Sequence, residues 1–441
     1  MTIGDAIETS SVTTEPEVVG GRPLLPGEDP FYRSPIDPAS VAPGTILRSR
    51  PVRLALFGRI PQRVRAWQLL YRSTDLDGAP EATVTTVLLP WDADPAVERP
   101  LVSFQCAIDA VAPKCFPSYA LRHGARALGA IPQVEFPLIA AALARGWAVS
   151  VPDHEGLNGH FGAAREPGHR ALDGLRAALR FEPLGLSPRT RIGLWGYSGG
   201  GLATVWAAEL AASYAPELDI VGAVAGSPVG DPAEAFVRLN GSPFAGFAMV
   251  FTSGLRRAYP ELDGCVRGLV SQEYLRLLDN AESIATFPLL ARYAGRNANR
   301  HIRGGLGALL TRPEMRAVLD DIRPGAEAPA MPLLVVQGVN DEVIAVADVD
   351  AHVRRYHERG AHVRYLRDRL STHLPLQFIS IPVMVDWLAD RLADRPLPPS
   401  EVRTVWSVAA SRRAVREHGH LAALVATMVS GRPIRTRSDF R

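Results

Sequence analysis

The chain has 441 residues, 47% of them apolar, and a formal net charge of +2. That is enough apolar material for a large core and, by length alone, for two or three domains. A near-zero balance leaves no electrostatic footprint for nucleic acid, and no stretch approaches the roughly 20 apolar residues that a membrane-spanning helix needs.

Taken in chain order, Met1 to Glu17 is polar and acidic, without the apolar h-region of a secretory signal. This places the protein inside the cell unless a leader precedes this start. Residues 1–45 form a proline-rich arm that wraps the rest or stays partly disordered. Strands are predicted over 67–71, 83–89, 99–105 and 148–152, with helices over 137–145 and 168–180 between the later ones. Such alternation implies a largely parallel sheet with helices on both faces, the α/β class.

A short apolar strand over 191–195 then runs into Gly196-Tyr197-Ser198-Gly199-Gly200, and an alanine-rich helix is predicted over 202–212. Strand, sharp turn and helix are what a G-x-S-x-G nucleophile elbow requires, because small flanking residues let the backbone double back and lift the serine hydroxyl to the tip. Ser198 is the candidate nucleophile.

A serine hydroxyl is nearly inert at neutral pH, so it needs a base and an acid further along the chain. After a normal strand at 220–226, an apolar strand over 331–338 ends in glycine and is followed by Val339-Asn340-Asp341-Glu342. Asp341 is the candidate acid, with Glu342 as its rival and a plain turn role for the Asn-Asp pair as the bland alternative. The next strand, 362–366, leads to Ser371-Thr372-His373-Leu374-Pro375 and an apolar helix over 378–392. His373, in the loop before that helix, is the candidate base. His352 and His357 fall on a helix with charged neighbours and read as a solvated face, and His362 opens a strand, so these read as structural. Loops at the carboxyl ends of parallel strands converge on one crevice, which lets three distant residues meet.

The oxyanion of acyl transfer needs two backbone donors. One comes from the residue after the nucleophile, Gly199, and the other from the end of the strand over 99–105, which leads into Cys106-Ala107-Ile108-Asp109-Ala110. No His-Gly-Gly-Gly run marks that second donor.

About 100 residues, 229–329, separate the strand at 220–226 from the one that precedes Asp341. A crossover needs only a dozen or more, so the surplus is predicted to be an inserted cap domain over the mouth of the crevice, mostly helical because Tyr274-Leu275, Leu277-Leu278, Leu289-Leu290, Leu306 and Leu309-Leu310 recur at helical spacing. Within it, residues 243–251 are apolar and nearly uncharged. Phe244, Phe247 and Phe251 there suit an acyl-chain tunnel or a mobile lid, or equally the packing of cap helices. Residues 46–228 and 330–395 form the two parts of the core. The tail, 396–441, is predicted to be a helical extension without a counterpart among the core elements, packed on its own domain, on a partner subunit or on an acidic membrane surface.

Several of these segments resemble the secretory lipases of the Candida antarctica lipase A type, in the α/β-hydrolase superfamily. They are Asp29-Pro30-Phe31-Tyr32, Pro43-Gly44-Thr45-Ile46-Leu47, the stretch from Ser103 to Tyr119, Pro152-Asp153-His154-Glu155-Gly156, the elbow, and the Asp341 and His373 loops, in that order from about residue 28 to about 395. The resemblance implies an α/β-hydrolase fold with a helical cap, an ester or lipid substrate, and a secreted or cell-envelope location. It also implies that Asp109, matching the second member of the family's acidic pair, supplies the second oxyanion amide. Ile108 stands where the family often has glutamate. Cys115 and Cys265 lie in regions that related lipases join by a disulfide.

The predicted chemistry is two-step acyl transfer, with Ser198 attacking, His373 moving the proton and Asp341 holding the imidazole, and it requires neither metal nor organic cofactor. An acyltransferase or a short-chain carboxylesterase would use the same residues. A peptidase and a catalytically silent binding module on the same fold are the remaining readings.

Overall fold

The computed structural model describes residues 18–19, 22–94 and 96–440; the reading of Met1 to Glu17 lies outside them. Ten strands form the main sheet: β1 (Ile46–Pro51), β2 (Arg65–Thr74), β3 (Pro80–Leu89), β4 (Leu101–Gln105), β5 (Ala148–Pro152), β6 (Ile192–Tyr197), β7 (Ile220–Gly226), β8 (Leu333–Gly338), β9 (Val363–Asp368) and β10 (Glu401–Val405). Their spatial order is β10-β9-β8-β7-β6-β4-β5-β3-β2-β1. From β5 to β10 every neighbour is parallel, whereas β1, β2 and β3 are joined antiparallel at the other edge. This is the α/β-hydrolase architecture.

Every residue of β4, β5, β6 and β8 is buried, as expected of central parallel strands covered on both faces. Helices Glu166–Arg180, Gly199–Tyr214 and Val346–Glu358 pack on one face, and Ile131–Ala144 and Ile381–Leu392 on the other. Residues 29–32, ahead of β1, are fastened to this body. Asp29 pairs with Arg50 at 2.7 Å, Arg50 lies over the Phe31 ring at 4.0 Å, and Phe31 and Tyr32 are buried.

Between β7 and β8, seven α-helices from Pro232 to Asp321 form a helical layer above the carboxyl ends of the strands. It is tied down by a Phe287 N–H bond to the Gly129 carbonyl and by Thr286 on the loop after β4.

Four expectations need correction. The tail is not purely helical: residues 401–405 join the sheet as β10, with Asp368 beside Val405. The strand is short and its side chains are half-exposed or exposed, so it carries no core pattern and only the open edge of β9 makes it a strand. Beyond it, helix Arg412–Val429 buries Ala414 and Met428 against the helices on that face. Second, the helix expected over 378–392 is two, His373–Ile379 and Ile381–Leu392, with Pro382 opening the second, where its missing N–H costs least. His373 is therefore the first residue of a helix. Third, His352 is buried, its ring 4.4 Å from that of Tyr356. Charged neighbours in sequence hid its inward placement on the helix. Fourth, Cys106, Cys115 and Cys265 are all free, so the bridge implied by family resemblance is absent.

Candidate active site

The site lies where β4, β6, β8 and β9 end. Gly196 sits beside Gln105, and Gly338 beside Asp368, so the loops that follow these strands open side by side. The elbow after β6 is built by close approach. A Cβ on Gly200 would collide with the Gln105 carbonyl, and one on Gly199 with Asp109 Oδ1. Ser198 itself has φ 54° and ψ −122°, a conformation that costs an L-residue on the order of 1–3 kcal/mol and projects its hydroxyl out of the turn.

The structure brings Ser198, His373 and Asp341 together. Ser198 Oγ lies 2.9 Å from His373 Nε2, and His373 Nδ1 lies 2.8 Å from Asp341 Oδ2. Asp341 Oδ1 accepts the N–H groups of Val343 and Ile344 at 2.9 and 2.8 Å. Burial pushes the Asp341 carboxyl up, but the facing His373 and these hydrogen bonds outweigh it and hold the group below its ordinary range. Glu342 does not reach the imidazole.

Asp109, at the end of the loop after β4, has a positive φ of 44° and is almost fully buried against Gly199. Its Oδ1 has no hydrogen-bond partner. Burial pushes this carboxyl up to about 7, against a smaller opposing pull from His373. The peptide planes of the loop are held from three sides: Thr286 Oγ1 donates to the Ile108 carbonyl at 3.2 Å, His154 Nε2 lies 2.7 Å from the Cys106 carbonyl, and the Ala107 N–H donates to Glu135 at 2.9 Å.

Two apolar cavities flank Ser198. One runs under the cap between Leu202, Val229, Phe236, Leu239, Phe247 and Phe251. The other lies on the His373 side, between Ile131, Val134, Phe244, Phe287 and Leu374. Phe247, with Asp109, Ser198 and Val343, belongs to both, so the three phenylalanines singled out in the sequence all line the site.

Further residues position this machinery: Tyr197, named with the elbow, and Ser227, Glu135 and Gln377, which the sequence reading missed. Tyr197 Oη donates to the His373 carbonyl at 2.6 Å and Ser227 Oγ donates to Tyr197 Oη at 3.0 Å. Glu135, fully buried, takes the Ala107 N–H on one oxygen and Gln377 Nε2, at 2.6 Å, on the other. Burial pushes Glu135 well above the usual carboxylate range. A single carboxylate in the otherwise uncharged helix Ile131–Ala144 was the available signal.

The chain is similar to known lipases. The crystal structure of Candida antarctica lipase A superposes with a TM-score of 0.81 at 27% identity, over 93% of this chain and 98% of that one. Lipase A of Arthroderma benhamiae is 36% identical over 379 residues, covering 84% of this chain and 80% of its own. A Mycobacterium tuberculosis protein named a "probable inactive lipase" is 48% identical over 416 residues, 94% of this chain and 93% of its own. A secreted triacylglycerol lipase of Malassezia globosa is 34% identical, covering 84% and 82%. The secretory lipase model matches residues 121–399, a span that takes in the elbow and both downstream loops, and the chain belongs to the secretory lipase family.

Proposed function

We propose that the protein hydrolyses carboxylic esters of lipids, triacylglycerols foremost, through a Ser198 acyl-enzyme. The observation that carries this is the continuous contact from Ser198 Oγ through His373 to Asp341, which the name of the 48%-identical relative would otherwise put in question. His373 takes the Ser198 proton as Oγ attacks the ester carbonyl, and Asp341 fixes the tautomer and stabilises the imidazolium. The amides of Gly199 and Asp109 hold the oxyanion, each worth on the order of a hundredfold or more in turnover. His373 then protonates the leaving alcohol, so the cavity beside it takes the alcohol portion and the cavity under the cap takes the acyl chain. Water attacks the acyl-enzyme by the reverse route.

Titration with a fluorophosphonate probe tests this reading. One label on Ser198, lost in Ser198→Ala together with p-nitrophenyl ester hydrolysis, is the expected result. An unlabelled wild-type chain, or full turnover in the variant, ends the proposal.

A further inference from the structure

An exposed apolar track leads from the catalytic cavity to the tail. Leu374 lines the cavity beside His373 and is 44% exposed on the outer face of helix His373–Ile379. Phe378, one turn on, is also exposed. Next to them Leu370, 65% exposed, shares a shallow groove with Thr372, Pro375 and the tail residues Val415 and His418. Trp406, 68% exposed, stands beside it at the end of β10, with the Arg369 guanidinium 5.4 Å from its ring. Large apolar side chains exposed in continuity mark an interaction surface.

Exposed charge on this face is mostly basic, although Arg413 pairs with Asp386 at 2.5 Å and Arg416 stands 3.8 Å from Glu417. Arg369, Arg412 and Arg416 are exposed, and Arg412 and Arg413 stand in the first turn of helix Arg412–Val429, where the helix dipole disfavours cations. The acids of the same segments are turned inward. Asp368 accepts the N–H groups of Leu370, Ser371 and Val408, and Glu417 is held by Arg145 and Arg437, with the exposed Arg416 on the side of its other oxygen. Glu342 stays exposed, and it accepts the His373 N–H.

We propose that this face, built from the His373 helix, the loop before it and the tail from Trp406 to Arg416, docks on a negatively charged lipid surface. Tryptophan settles at the boundary between headgroup and acyl chain, and arginine pairs with anionic headgroups. Docking there sets Leu374 and the alcohol-side cavity against the lipid, so ester substrate enters without crossing water. Only this last consequence rests on the hydrolase reading.

Binding is measured by sedimentation of the Ser198→Ala chain with phosphatidylcholine vesicles, with and without phosphatidylglycerol, so catalysis is not needed. Binding is expected only with phosphatidylglycerol, weakened about fivefold for each arginine charge lost, and hence at least about twenty-five-fold in Arg412→Glu/Arg416→Glu. Trp406→Asp should weaken it comparably, with melting temperature unchanged in both variants. If Trp406→Asp fails to fold, the arginine pair, both of them exposed, decides alone. No binding, or equal binding by the arginine variant, overturns the proposal. So does a concentration-dependent dimer that Trp406→Asp dissolves, since it assigns the face to a second copy. Failure of fluorophosphonate to label wild-type Ser198 would sink the hydrolase reading and leave the vesicle result standing.

Discussion

Glu342 accepts the backbone N–H of His373 at 3.0 Å, while its neighbour Asp341 takes the imidazole of the same residue at 2.8 Å. Two adjacent carboxylates thus divide the work: one orients the ring and the other caps the helix that carries it. Asp341→Asn should lower kcat by up to about ten-thousandfold through the wrong tautomer. Glu342→Gln keeps an acceptor for the His373 N–H and should stay within about tenfold of wild type, as loss of a single cap contributes only about 1 kcal/mol. Steady-state rates on a soluble p-nitrophenyl ester distinguish the two, and the opposite ranking would reassign the acid.

Glu135 links the oxyanion loop to the histidine helix, through Ala107 on one side and Gln377 on the other. Glu135→Ala strands both donors in a buried place, at about 1–3 kcal/mol each, and loosens two catalytic segments together. The expected result is a lower melting temperature with kcat reduced about a hundredfold, as misplacement by an ångström does, and KM little changed. Gln377→Ala leaves Ala107 held and should lose less. A fall in melting temperature with kcat intact would limit Glu135 to a structural role.

Asp109 carries a pH signature. Its carboxyl is buried beside Gly199 and pushed up to about 7, so it enters neutral range protonated. Above about 7 its charge lies next to the oxyanion and should depress turnover on the alkaline side. Asp109→Asn should remove that alkaline fall. The folded chain holds this proton more tightly than the unfolded chain does. Ionisation is therefore increasingly destabilising as pH rises from about 4, the unfolded value, and the effect levels off above about 7. The melting-temperature advantage of Asp109→Asn over wild type should widen across that interval. A constant offset from acid to alkaline pH would show that Asp109 does not titrate there.

Phe247 stands half-buried between the two cavities. Phe247→Asp should depress hydrolysis of long-chain esters far more than of acetate or butyrate, the ratio growing by up to about fourfold per methylene that loses its apolar wall. Rates across a p-nitrophenyl ester series from two to about sixteen carbons read this directly, a range within which burial of the chain under the cap would saturate. An equal loss at every length would mean that the residue only supports the cap.

The local patterns of the chain determined a great deal. Uniformly apolar strands, glycines around Ser198, and loops after strands that carry Asp341 and His373 all follow from short stretches in which backbone sterics and burial act locally. The surplus between β7 and β8 likewise marks an insertion by its length, and leucines at helical spacing mark it as helical. Only the tertiary structure decided which carboxylate faces the imidazole, since Asp341 and Glu342 are adjacent carboxylates whose side chains leave the loop in different directions. It also decided that Glu135 reaches Gln377 across 242 positions, that His352 faces inward, and that residues 401–405 become a strand. In each case the partner lies far away in sequence. A buried polar group or an open sheet edge is satisfied by whatever the fold brings beside it, and no local pattern encodes that neighbour.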